Sequence, residues 1–162
     1  MNGLLTAVLG LCALGVHAQQ PQAAAASPAA QARRLAAAAE SLVPRLEALG
    51  RRAWRSGFKS GQLEDELAHF AVELRHHRQE VQALAKEARD LKVEDASELL
   101  KAAGGLRERS EALQSAAERA FNRDFRPHSF TPQGWDIKRE AARGCQAAKE
   151  VEDAARRHLT GA

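Results

Sequence analysis

The chain has 162 residues, 44% hydrophobic and 28% charged, with 24 basic and 21 acidic side chains and a formal charge of +3. Five Phe, two Trp and no Tyr leave it poor in aromatics, and β-branched residues are scarce. That composition speaks against a β-sandwich or barrel, and the near-balanced charge against a strongly basic nucleic-acid binder.

Met1–Ala18 contains no charged residue, and Leu4–Val16 is almost continuously apolar. Val16-His17-Ala18 then puts small residues at the two positions that a signal peptidase reads. This is the pattern of a cleaved secretory signal over residues 1–18. It is too short to remain as a membrane span, which takes roughly 20 apolar residues. Cys12 follows Leu11 rather than a small residue, which argues against lipidation. The expectation is an exported protein, periplasmic or secreted, with no transmembrane segment after cleavage. Residues 19–32 are uncharged Gln, Pro, Ala and Ser and read as a tether. Residues 33–160 are the size of one domain.

Apolar residues in that domain recur at helical pitch. The first predicted helix covers Pro28 to Ser56, with Leu35, Ala39, Leu42, Leu46, Leu49 and Ala53 on one stripe. Pro44 falls inside it and predicts a kink or a break. Gly57 and Gly61 mark a turn. The second helix covers Gln62 to Leu91. Leu63, Leu67, Phe70, Leu74, His77, Val81, Leu84, Ala88 and Leu91 form a four-three seam, with Glu64, Asp65, Glu80 and Glu87 opposite.

The third helix covers Asp95 to Asn122, with Asp95 and Glu98 spaced as a capping box. Leu99, Ala103, Leu106, Ser110, Leu113, Ala117 and Ala120 form its stripe. Gly104-Gly105 weakens its middle and predicts a bend or a close helix approach. Phe121–Trp135, aromatic and proline-broken, reads as an ordered connection over one end of the domain. The fourth helix covers Asp136 to Leu159, with Ile137, Ala141, Gly144, Ala148, Val151 and Ala155 as a small-residue face. Short links make consecutive helices antiparallel neighbours. The expected fold is all-α, an antiparallel four-helix bundle of up-down-up-down topology.

Charge is uneven. Residues 33–59 carry +5, residues 64–92 and 94–124 carry −2 each, and residues 126–157 carry +2. A basic first helix beside acidic second and third helices is explained by complementarity within the bundle, and no nucleic-acid partner is expected.

Glu66-x-x-His69 and Glu73-x-x-His76, followed by His77, offer imidazole and carboxylate at one-turn spacing. His69, Glu73, His76 and His77 are therefore the candidate ligands for a transition metal such as Zn, Ni or Cu. Di-iron bundles place E-x-x-H on two helices, whereas here both motifs share one helix. His77 alone lies on the seam. Its inward partners would have to be Cys145, the one cysteine left in the mature chain, or His158. Haem has neither a C-x-x-C-H motif nor a Met beyond Met1 to hold it. With no nucleophile–base pair and no phosphate loop, the expectation is a non-enzymatic protein without a cofactor. It would act through a protein partner, self-association or the envelope surface.

Overall fold

A computed structural model describes residues 26–56 and 60–161 of the chain. The expected signal at residues 1–18, Cys12 and the first part of the tether lie outside the described residues.

Helix α1 spans Pro28–Ser56. Proline suits this first position, because no intrahelical donor is needed there, and Ser27 Oγ accepts from the Ala30 N–H at 3.3 Å. The stripe is buried as expected, apart from a half-buried Leu49. The break expected at Pro44 does not occur. Pro44 and Glu40, one turn earlier, are both exposed, so water can take the carbonyl that the ring deprives of its donor.

Helix α2 spans Gly61–Glu87, and Ser60 Oγ accepts the Leu63 N–H at 3.3 Å to cap it. It tightens into a 3-10 turn at Ala88–Asp90, so the regular helix stops short of Leu91. Helix α3 spans Val93–Ala120 and starts ahead of Asp95. Lys92 is the N-cap residue and makes no side-chain cap bond, so the Asp95–Glu98 capping box does not form. Glu94 and Asp95 sit in the first turn, where they favour the positive end of the helix dipole. The chain then makes a π-helical turn, Phe121–Phe125, which buries Phe121, Asp124 and Phe125. Helix α4, Thr131–Thr160, begins five residues before the predicted Asp136. Pro132 stands in its first turn, the one place where a helix accepts it. Gly161, at φ 67°, closes its far end.

The four helices pack against each other, and the described residues contain no strand. Salt bridges give the register. Arg34–Glu80, Arg45–Glu73 and Arg52–Glu66 tie α1 to α2 in opposite directions. Arg107–Glu152 and Lys149–Glu111 do the same for α3 and α4. The neighbour relations differ from the expectation. The most extensive contact of α1 is with α3, and α4 packs broadly on both α3 and α2, while α2 and α3 are not an extensively packed pair. The 3-10 turn therefore carries the chain across one end of the bundle.

Buried apolar side chains form two clusters. One contains Leu35, Val81, Leu84, Leu99, Leu106 and Val151 with many alanines. The other contains Leu42, Leu46, Leu67, Phe70, Leu74, Leu113, Phe125, Phe130 and Ile137. No described helix is long and apolar enough to cross a membrane.

The close-packing glycines are not the pair singled out in the sequence. A Cβ on Gly104 would meet nothing within 4 Å. A Cβ on Gly134 would stand 2.8 Å from Phe125 Cβ and 3.1 Å from Phe121 Cδ2. Gly134→Ala should therefore lower unfolding free energy by about 1–3 kcal/mol through overpacking. Gly104→Ala should raise it by about 0.5–1 kcal/mol, because alanine is the better helix former. Denaturant unfolding of the two variants measures both.

Candidate functional site

The predicted ligands on α2 split between two faces. His77 is buried, whereas His69, Glu73 and His76 are exposed. Glu73 is engaged by Arg45 in a two-pronged pair at 2.5 and 2.7 Å. Glu66 is engaged by Arg52 in the same way, and that hydrogen bonding holds its carboxyl below the usual carboxylate range. The carboxylates of both E-x-x-H steps thus serve the α1–α2 contact. Among the described residues, no three His, Cys, Asp or Glu side chains are grouped to hold a metal ion.

Of the three inward candidates, two converge. His77 and Cys145 line one enclosed space with Ser110, Glu140 and Gly144, too narrow for a water molecule. His158 lies elsewhere. Its Nε2 stands 3.0 Å from the Ala88 carbonyl oxygen and 3.1 Å from that of Arg89, where α4 fastens the 3-10 turn.

This polar level separates the two apolar clusters. Along α2, His77 falls between Leu74 and Val81; along α3, Ser110 falls between Leu106 and Leu113; along α4, Cys145 falls between Ala141 and Ala148. Neither His77 ring nitrogen nor Ser110 Oγ has a hydrogen-bond partner. Burial pushes the His77 pKa below its ordinary 6.5, against the weaker opposing pull of Glu80. Burial also pushes the Cys145 thiol up, so it stays protonated and unreactive. Glu140 is almost fully buried and accepts from Arg78 Nε at 2.7 Å, with Arg139 and Arg143 at 3.7 and 3.6 Å. The level therefore holds a neutral imidazole, a thiol and a compensated carboxylate, with no activated nucleophile.

A second site escaped the sequence reading. At the end of the bundle that carries the π turn, a cleft of about 440 Å³ opens between α1 and α3. Arg51, Arg55, Arg119 and Arg123 line it, with Glu47, Asp124 and the indole of Trp54. Trp54 is 57% exposed and meets the His128 ring edge-on at 5.4 Å. Asp124 is buried against Gly50, where even a methyl group would collide with its carboxylate. It holds the Arg123 guanidinium by two bonds of 2.7 and 2.9 Å, which raises the pKa of that group further. Arg51 and Arg119 share Glu47 at a loose 4.0 Å each. Arg55 has no ion pair among the described residues. The cleft thus presents planar, multi-donor cations beside an aromatic wall, a combination suited to carboxylate or phosphate.

The signal for it was present in the sequence: Arg51 and Arg55, and Arg119 and Arg123, are each one turn apart on two helices. The charge on α1 was read as complementarity with α2 and α3. Arg34, Arg45 and Arg52 do meet α2 glutamates, whereas on the α3 side Arg51 has only a loose pair with Glu47, and Arg33 and Arg55 have none among the described residues.

The chain matches no protein-family model, no curated protein and no solved structure.

His77 yields a signed prediction. With its folded pKa depressed, the unfolded chain binds a proton first as pH falls, so stability is complete above about pH 6.5 and declines below it. His77→Leu should remove that component of the decline. It should also raise stability at pH 7 by about 1 kcal/mol, by removing two buried unbonded polar atoms. Thermal unfolding from pH 7.5 to 5 checks both.

Proposed function

We propose that this protein is an exported, non-enzymatic helical bundle, up-down-up-down behind a cleaved signal peptide, that acts through contact with a protein or the envelope surface. The observation that carries this reading is the decoration of one bundle end. Trp54 and Trp135 are 57% and 53% exposed there, on either side of the connection that follows α3. Trp135 packs against Phe121 at a 50° tilt with ring centroids 4.7 Å apart, and the Lys138 ammonium lies over both rings at 5.3 and 5.4 Å. Large aromatics flanked by cations, at no structural necessity to the core, are the composition of contact surfaces. The cleft arginines extend that surface. The apolar pattern of residues 1–18 supports export.

Trp54 and Trp135 are the only tryptophans, and there is no tyrosine, so ultraviolet fluorescence reports directly on this end. Engagement of a partner, a second copy or an anionic vesicle should blue-shift the emission. Trp54→Phe and Trp135→Phe should apportion the shift. Sedimentation across concentration tests self-association. A strict monomer whose emission ignores proteins and vesicles alike would remove the proposal.

A second reading is a transition-metal or small-ligand bundle. It is favoured by one observation, that His77 and Cys145 line the same interior space with the imidazole unbonded, and it requires that narrow space to widen when the ligand enters. Zn²⁺, Ni²⁺ or Cu²⁺ should then raise the melting temperature, and His77→Leu should abolish the rise. Unchanged melting in all three metals ends this reading.

A further inference from the structure

The arginine cleft is one end of a longer groove. The stripe of α1 that lines it continues downward through Glu47 and Glu40 to Arg33, and the facing stripe of α3 runs from Arg119 to Lys101. A second depression of about 430 Å³ lies on that line, with Arg33, Lys101 and Arg109 at its edges. Arg109–Glu40 and Arg119–Glu47 run in the same sense along α3 and α1, so the two helices are parallel, and both depressions lie on the one α1–α3 seam that these ion pairs cross. At 1.5 Å per residue their centres are about 20 Å apart.

Charge is concentrated along this furrow. Its two depressions are lined by seven basic and three acidic side chains, a net +4, whereas the entire chain carries +3. Arg33, Arg55 and Lys101 have no ion pair among the described residues. The lining between the cations is alanine, Ala37 exposed and Ala36, Ala102, Ala116 and Ala120 buried.

We propose that the α1–α3 furrow binds an acidic amphipathic helical segment of a partner protein, its apolar stripe on the alanine floor and its carboxylates on the flanking arginines. This deepens the contact reading above and rests on it. Three features select a peptide. The depressions follow a helix–helix seam, a linear shape that matches a helix rather than a flat bilayer. Glu40 and Glu47, paired with Arg109 at 3.0 Å and Arg119 at 4.0 Å, interrupt the line of cations, an alternation that a peptide can match with neutral residues and a uniformly charged polymer such as a polyphosphate cannot. Small floor residues accept the ridge of a helix, with Trp54 closing the upper end around a larger apolar side chain.

The test is fluorescence anisotropy with a fluorescein-labelled peptide of about twenty-three residues, which as a helix spans both depressions from Arg33 to Arg55. It should carry Leu at helical spacing and Glu on the flanks. A scrambled peptide of equal composition, the Glu-to-Gln peptide and phosphatidylglycerol vesicles are the comparisons. The acidic amphipathic peptide should bind best, more weakly as salt rises. The exposed pairs Arg55→Ala with Arg119→Ala, and Arg33→Ala with Lys101→Ala, should each weaken it by about tenfold or more. Unchanged helicity and melting would show that these variants fold. Equal binding of the scrambled peptide, or loss from one pair only, overturns the helix-in-furrow assignment. Should vesicles or a second copy engage the tryptophan end while no peptide binds, this inference falls and the contact reading stands. If nothing binds at all, both fall.

Discussion

The structure depends on how little each buried residue contributes. Nineteen of the thirty-seven buried apolar residues among those described are alanine. A methyl group removes far less surface from water than a leucine side chain does, at roughly 25 cal/mol per Å². Such a core is stable only if the backbones approach closely and over long lengths, which is what helices of 27–30 residues provide. The tight pairs are those lined with small residues, α1 on α3 and α4 on both α3 and α2. The loosest contact between neighbours, α1 with α2, is bridged by three Arg–Glu pairs along its length. These pairs are largely exposed to solvent, which screens them, so each adds little stability and their larger effect is on register.

The polar level between the apolar clusters has a different balance. Arg78 and Glu140 are both largely withdrawn from water, and a pair of this kind seldom outweighs an apolar substitute in stability. Removing one member is a different matter, since it strands a buried charge. The arrangement therefore discriminates among alignments more than it stabilises the right one. If α4 slid by one turn along α2, Glu140 would lose its guanidinium, and the unbonded imidazole would meet a new set of side chains. An alanine-lined helix face has few other features to prevent that slide, because methyl groups interlock weakly. Register specificity is consequently lodged in the few large or charged groups.

The helices and their buried stripes were legible because period alone decides which residues face inward. Every seam residue assigned from spacing is buried or half-buried, including His77 and Ser110, which hydrophobicity would have placed outside. Helix ends were less legible. Asp95 has the spacing of a cap, yet Lys92 holds that position, because the crossing of the chain after Asp90 fixes where α3 begins. Lateral order was not legible either. Periodicity says how wide an apolar face is and not which helix covers it, so the α1–α3 pairing had no sequence signature. The arginine cleft was missed for the same reason. Its two one-turn pairs acquire meaning only when α1 and α3 are adjacent and parallel.

The cleft, like the polar level, breaks local rules. Gly50 stands inside a long helix, where alanine would be better by about 1 kcal/mol. Asp124 is a buried carboxylate on a π-helical turn, a geometry that is rare and frequent at functional sites. The two irregularities explain each other, since only glycine leaves space for that carboxylate against α1. Together they fix the Arg123 guanidinium at the mouth of the cleft, beside three arginines that have little to hold them. A core built for stability alone would place alanine at residue 50 and an apolar side chain at residue 124. Retaining the costlier pair makes sense where a pre-oriented cation is needed, because a guanidinium already held loses less entropy when a carboxylate arrives.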